Sequence, residues 1–291
     1  MSIRHSVFLA IVAILSANLI LTFNDALVKL AQGTFSLWAV FWLRAMVAVP
    51  VLVLCRVQSG FRPKAPGLVA LRSVLLACSW VALYTAFNYM PISTAVAIVY
   101  SNPIIVAVLT AVLDRRALSA PLWGAVIFGF AGAVLVVQPQ IGGPLWAYVF
   151  PIICAATYAV AMVITSRRLG GEQPITLSLG LNLAFMGIGA IGILAMGDGL
   201  IATLWVGFAE RPGSFLAMGG IVAMAAIFVA YAFQHAPAPM VSVFDYSYLL
   251  FAILWGFVFF GEMPNGLAVL GMLCICGAGG LTMWDRSPKQ T

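Results

Sequence analysis

The stretch Met90–Asn102, MPISTAVAIVYSN, returns 146 residues later as Ala236–Tyr248, APAPMVSVFDYSY. In this register Pro91 falls on Pro237, and Val99-Tyr100-Ser101-Asn102 falls on Asp245-Tyr246-Ser247-Tyr248. Farther along, Gly124 and Gly132 meet Gly271 and Gly279 at an offset of 147, so one extra residue lies between the two matches. Each copy follows an apolar run and leads into another, which reads as two copies of one hydrophobic unit. Both copies set hydroxyls, amides and one acid in the middle of apolar sequence, where polar groups are costly and usually functional.

The composition around these copies fits a membrane. Of the 291 residues 64% are hydrophobic and 8% charged, with a mean hydropathy of +1.11, against roughly 45–50% apolar and about 25% charged in a soluble domain. Several runs are long enough to cross a hydrocarbon core of about 30 Å at about 1.5 Å per residue. The expectation is an all-α polytopic protein with no soluble domain between its spans. The first run, from about Val7 to Ala31, exceeds the usual core of a secretory signal, about 7–15 residues, and reads as a retained helix. Cys55, Cys78, Cys154, Cys274 and Cys276 sit in apolar surroundings without metal-ligand spacing and read as small buried hydrophobes. The net charge of +6 is scattered over short loops, which argues against a nucleic-acid partner. No metal site and no cofactor is expected.

Turn signals and charges divide the chain into ten spans, roughly 6–31, 35–55, 67–89, 92–113, 119–137, 145–166, 175–197, 213–234, 238–260 and 264–284. With a cytoplasmic N-terminus, the inner loops and tails hold Arg4, Arg56, Arg62, Lys64, Arg115, Arg116, Arg167, Arg168, Arg286 and Lys289, whereas the outer loops hold only Arg211. This is the positive-inside pattern and predicts that both termini are cytoplasmic. Five spans per half, an odd number, would turn the second copy upside down, giving an inverted repeat of residues 1–138 and 139–291 joined near Gln138–Pro144. Inverted repeats are characteristic of secondary transporters, whose halves rock about a site near the midplane. Small residues at Ala125, Gly129 and Ala133, and at Cys276 and Gly280, suit close helix packing inside the bundle. They leave monomer or homodimer open.

Several polar groups inside the spans are candidates for function. Asp25 and Arg44 flank an expected turn near Gly33-Thr34 at similar depth, and Lys29 follows Asp25 on the same face. They form either a self-neutralising pair or a contact for cargo or protons. Trp80, Tyr84 and Asn88 share one stripe of the third span, with Asn88 and Tyr89 close enough to its end for an aromatic belt. Pro103 should bend the fourth span beside Tyr100, Ser101 and Asn102, freeing the Val99 carbonyl. Ser242, Asp245, Tyr246, Ser247 and Tyr248 form the matching wall. Asp245, with no base at its depth in its own hairpin, is either a proton or ammonium site or a protonated structural acid. His235 reads as interfacial, and Tyr158 and Asn182 are weaker candidates because nothing in the sequence pairs them.

Two five-helix halves, Pro91 and Pro237 opening the fourth and ninth spans, Tyr100 before Asn102-Pro103, and Gly261-Glu262 before the last helix together resemble the EamA-type branch of the drug/metabolite transporter superfamily. The first half departs from the pattern, with Asp114-Arg115-Arg116 in place of Gly-Glu. The resemblance covers the whole chain and implies a ten-helix carrier of a bacterial-type inner membrane, among whose relatives are exporters of amino acids and other small metabolites. An aromatic amino acid exporter is the preferred reading, since Trp80, Tyr84, Tyr100, Tyr246 and Tyr248 offer faces for rings or cations. With Asn102 they form the expected substrate wall. Asp25, Lys29, Arg44 and Asp245 form the expected charge or coupling set, and Pro91, Pro103 and Pro237 the hinges. Small polar amino acids, nucleosides and cationic drugs remain alternatives. Cargo moves either in exchange for a proton or down its own gradient. A membrane enzyme would need a nucleophile–base or metal cluster, and a channel a continuous polar stripe; the sequence offers neither. There is no phosphate-binding G-x-x-x-x-G-K-[ST] loop.

Overall fold

The computed structural model describes residues 3–30, 36–57, 63–140, 142–197, 199–210 and 212–284. The expected turn at Gly33-Thr34, and Arg62, Arg211, Arg286 and Lys289, lie outside the described residues, as do the side chains of Arg4, Lys29 and Arg56. The chain forms α1 (Ile3–Leu30), α2 (Leu37–Val57), α3 (Pro66–Ala86), α4 (Ile92–Val99), α5 (Asn102–Asp114), α6 (Ala120–Val137), a 3₁₀ turn (Leu145–Tyr148), α7 (Val149–Arg168), α8 (Pro174–Ala195), α9 (Leu200–Glu210), α10 (Pro212–His235), α11 (Ala238–Asp245), α12 (Ser247–Phe260) and α13 (Gly266–Trp284). No strand occurs among the described residues. Ten helical stretches are long and apolar enough to cross a membrane, with α4–α5 and α11–α12 each making one broken span.

Prolines start several of these helices because their missing N–H falls where no intrahelical acceptor exists. Pro66 and Pro174 open α3 and α8, and Ser119 caps α6 by accepting from the Leu122 amide at 3.4 Å. The repeated turns share one backbone geometry: Pro91 (φ −56°, ψ 137°) precedes α4 and Pro237 (φ −57°, ψ 132°) precedes α11. The repeat extends to the exits. Gly261 ends α12 at φ +66°, and Arg115, at the corresponding place, ends α5 at φ +51°, so the substituted Asp114-Arg115-Arg116 keeps the left-handed stop that glycine normally supplies.

Contacts sort the connections into two ends. At one, the Ala65 amide donates to Glu172 Oε1 at 2.6 Å, Gln234 Nε2 donates to the carbonyls of Leu169 and Glu172 at 2.6 and 2.9 Å, and Arg167 pairs with Asp114. This end carries Lys64, Arg115, Arg116, Arg167 and Arg168. At the other, Tyr89 packs edge-on to Trp146 at 4.7 Å, Thr94 bonds to the Gln140 carbonyl, and Gln138 and Asn265 exchange amide bonds of 2.8 and 3.0 Å. The fourth span therefore runs towards the arginine-rich end and the ninth away from it, which is compatible with inverted halves.

The closest helix pair is α6 with α13. A Cβ on Gly132 would lie 2.8 Å from the Gly271 carbonyl, and one on Gly271 would lie 2.6 Å from the Gly132 carbonyl, so backbones touch where small residues permit it. Ala125, Gly129 and Ala133 are buried, as expected, whereas Cys276 and Gly280 point outwards, because α13 faces α6 with Gly271, Ile275, Ala278 and Thr282. The cysteines also need correction. Cys154 is buried, but Cys55, Cys78 and Cys276 are exposed, since the outer face of a membrane bundle is as apolar as its core. A further departure is α9, eleven residues that belong to none of the ten expected spans. About 16 Å long at the usual rise, it is too short to cross. Its Ile201 and Trp205 are 83% and 77% exposed, a face suited to the membrane boundary.

Candidate functional site

Both broken spans narrow to three-residue hydrogen bonding at the repeated tyrosine. In the fourth, the Ser101 amide bonds to Ile98 and the Ile104 amide to Ser101, both at 3.0 Å; in the ninth, Tyr246 bonds to Val243 at 3.3 Å and Leu249 to Tyr246 at 3.1 Å. Pro103 accounts for the first break. The second has no proline. There Asn18, in the middle of α1, turns its Nδ2 to the Phe244 carbonyl (3.3 Å), the Asp245 carbonyl (3.4 Å) and Ser247 Oγ (3.1 Å). A buried side-chain amide thus adds a donor to the backbone carbonyls at the break.

The tyrosine rings of the two copies meet, with Tyr100 and Tyr246 at 6.1 Å between centroids. Tyr246 is fully buried. Its hydroxyl donates to the Val126 carbonyl at 3.3 Å, and a Cβ on Gly129 would strike its ring at 2.6 Å, so it is seated in α6 behind Tyr100 rather than on an open wall. Asn102 begins α5, 8% exposed, and its side-chain oxygen has no hydrogen-bond partner among the described residues. A buried amide oxygen left open is a place for water or a ligand.

Between this level and the less basic end lies an aromatic array. Trp80 and Tyr84 stack at 5.9 Å, Tyr84 meets Phe41 edge-on at 5.8 Å, and Phe41 stacks on Phe185 at 5.0 Å. The Arg44 guanidinium stands 5.6 Å over the Phe41 ring, a favourable cation–π placement. Asp25 accepts from the Tyr248 hydroxyl and, at 3.4 Å, from Asn24 Nδ2. Arg44 is within electrostatic reach of Asp25 and Tyr84, but makes no salt bridge to Asp25 within 4.0 Å among the described residues. Asp25 is exposed, bonded to Tyr248 of α12 and within electrostatic reach of Arg44 of α2 and Tyr84 of α3. Lys29 continues α1 beyond Asp25; its side chain lies outside the described residues.

Deeper towards the arginine-rich end, Tyr158 donates to Asp245 Oδ2 at 2.9 Å. Tyr158 is thus paired after all, by an acid 87 residues away. Asn182 bonds the Ser178 carbonyl of its own helix at 2.9 Å, and His235 stacks on Tyr231 at 4.0 Å in an exposed position at the helix end. Asn88 and Tyr89 lie exposed at the other end, apart from the aromatic array. Two residues that the sequence does not single out belong to this interior. Asn18 is one; the signal was an amide in mid-span. Arg72 is the other, 1% exposed, with Nε donating to Thr165 Oγ1 at 2.8 Å and Nη1 to the Leu177 carbonyl at 3.2 Å. It ties α3 to α7 and α8.

Ten crossing helices, two of them broken at matched places beside buried polar groups, define a membrane carrier of small molecules. The chain belongs to the EamA-like transporter family, whose model matches it twice, over residues 8–138 and 145–284. It is 30% identical to a riboflavin transporter of Rhizobium johnstonii over 90% of this chain and 91% of that protein. It is 23% identical to the pseudopaline exporter CntI of Pseudomonas aeruginosa over 94% of each. Human solute carrier family 35 member G1 is 22% identical over 84% of this chain and 70% of its own. A solved crystal structure superposes with a TM-score of 0.78 at 17% identity, covering 96% of this chain and 98% of the other, and shares the fold.

Proposed function

We propose that the protein is a secondary carrier that exports small aromatic metabolites, aromatic amino acids first among them, by alternating access of two inverted halves about the broken spans. The observation that carries this reading is the stacked Trp80–Tyr84 pair, with Asp25 and Arg44 within electrostatic reach of Tyr84. A planar cargo ring stacks on the aromatic faces, and an ammonium or carboxylate finds an opposite charge nearby. Tyr100, Asn102 and Tyr248 complete the wall, with Tyr246 backing Tyr100. Pro91, Pro103 and Pro237 mark the hinges. Asp245, held by Tyr158, and Asp25, held by Tyr248, are the candidate proton carriers. The arginine-rich end faces the cytoplasm, in keeping with the positive-inside rule, and so do both termini.

The riboflavin transporter at 30% identity supports a second reading. The same aromatic array suits a larger flat ring, with charge playing a smaller part. Proteoliposomes loaded in turn with labelled tryptophan, phenylalanine and riboflavin, with and without a pH gradient, separate the two. Saturable flux of an amino acid that follows the gradient is the expected result. Flux of riboflavin alone would select the second reading, and flux of none of the three would remove both.

A further inference from the structure

The two broken spans pack unequally along their length. Towards the arginine-rich end α5 lies along α11, whereas α4 and α12, towards the other end, share no comparable packing. Tyr100 and Tyr246 meet at the level between. Beyond it, on the less basic side, Asp25 keeps an exposed surface. The broken spans are thus in contact with each other at the arginine-rich end and not comparably so above the breaks.

At the arginine-rich end an ion pair bridges the halves. Arg167, in the last turn of α7, donates to Asp114, the last residue of α5. Their side chains are 35% and 26% exposed, so water screens the attraction and the pair can open readily. Against it lies a cavity of about 420 Å³, whose lining includes Thr110, Ser166, Pro237 and Ala238. Thr110 is 6% exposed, and its hydroxyl oxygen has no partner among the described residues. A buried polar group left unpaired favours any state in which water reaches it. Phe260 stands where the repeat would place a second Asp114.

We propose that Asp114–Arg167 is the latch that holds the transport path closed at the arginine-rich end, and that the cavity beside Thr110 is the vestibule that wets when it lets go. This rests on the alternating-access reading above and adds to it the resting state and the residues that hold it.

The test uses Thr110→Cys in purified full-length protein in lipid nanodiscs. Alkylation by a maleimide is followed at position 110 by peptide mass spectrometry, so the five native cysteines do not contribute. Asp114→Asn and Arg167→Gln are each expected to speed labelling roughly five-fold, the shift a screened pair can supply. The charge exchange, Asp114→Arg with Arg167→Asp, is expected to return it to near the parental rate. Labelling unchanged in the single variants, or as fast in the exchange as in them, overturns the latch. Should Asp114→Asn fail to insert, Arg167→Gln removes the same pair from the other side and decides the matter alone. No cargo enters this measurement, so a wrong cargo leaves its result standing.

Discussion

Tyr158, in the middle of α7, donates its hydroxyl to Asp245 Oδ2 at 2.9 Å, joining the acid of the repeated motif to a helix 87 residues earlier in the chain. A hydrogen bond contributes about 0.5–1.5 kcal/mol net, and about 1.5–3 kcal/mol where its acceptor is charged. Tyr158→Phe removes this one bond while keeping the ring. It is expected to leave insertion intact and to change how flux responds to the pH gradient, read in proteoliposomes. A gradient response identical to the parent would take Asp245 out of coupling.

Asn18 provides the only side-chain donor recorded among the described residues for the backbone freed at the second break. Asn18→Leu removes the side-chain donor to the Phe244 and Asp245 carbonyls and to Ser247 Oγ, at about 0.5–1.5 kcal/mol for each lost hydrogen bond. The thermal midpoint in detergent should fall clearly, and more than for Asn88→Leu at an exposed site. Equal midpoints would mean the break needs no cap.

The seam of α6 and α13 tolerates no Cβ at Gly132, where the Gly271 carbonyl would be 2.8 Å away, but Gly124 has nothing within 4 Å. Gly132→Ala should destabilise by about 1–3 kcal/mol, as overpacking does, whereas Gly124→Ala should be neutral or mildly stabilising. Thermal unfolding of the two variants side by side decides it, and equal effects would contradict the close approach.

Arg72 crosslinks three helices from a fully buried position. Removing one partner of a buried charged hydrogen-bond set strands the others, so Arg72→Ala should lower folded yield and thermal stability. Thr165→Val, which removes only the Nε acceptor, should cost less. A stable Arg72→Ala with normal flux would show that the crosslink is dispensable.

Trp80→Ala and Tyr84→Ala are expected to raise the cargo concentration for half-maximal flux about ten-fold or more, on the scale of a lost aromatic contact. Tyr246→Ala should instead act through stability, because that ring fills α6. Half-saturation unchanged in both Trp80 and Tyr84 variants would place the cargo elsewhere.

The ten crossings were legible because apolar length and charged breaks report directly on the bilayer. The repeat was legible from Pro91, Pro237 and the Tyr-Ser pairs, and it located both breaks, although only Pro103 gave a mechanical reason for one. What escaped depends on which helix faces which. Asn18 and Arg72 are single polar letters in apolar runs, and nothing in one span states that Asn18 meets residues 226 to 229 positions away. The same blindness placed Tyr246 on the open wall, when at the junction of α11 and α12 its ring turns into α6, and put Cys276 inside, when the face of α13 one position away carries the seam. The helix α9 was missed because it is too short to register as a crossing.

The central claim, that a single site is presented alternately to the two sides of the membrane, is tested most directly by counterflow. Proteoliposomes preloaded with unlabelled aromatic cargo are placed in a trace of the labelled form. A carrier should drive transient accumulation of label above its outside concentration, abolished by Trp80→Ala. Label that only equilibrates, with no overshoot, would contradict alternating access and return the protein to a pore.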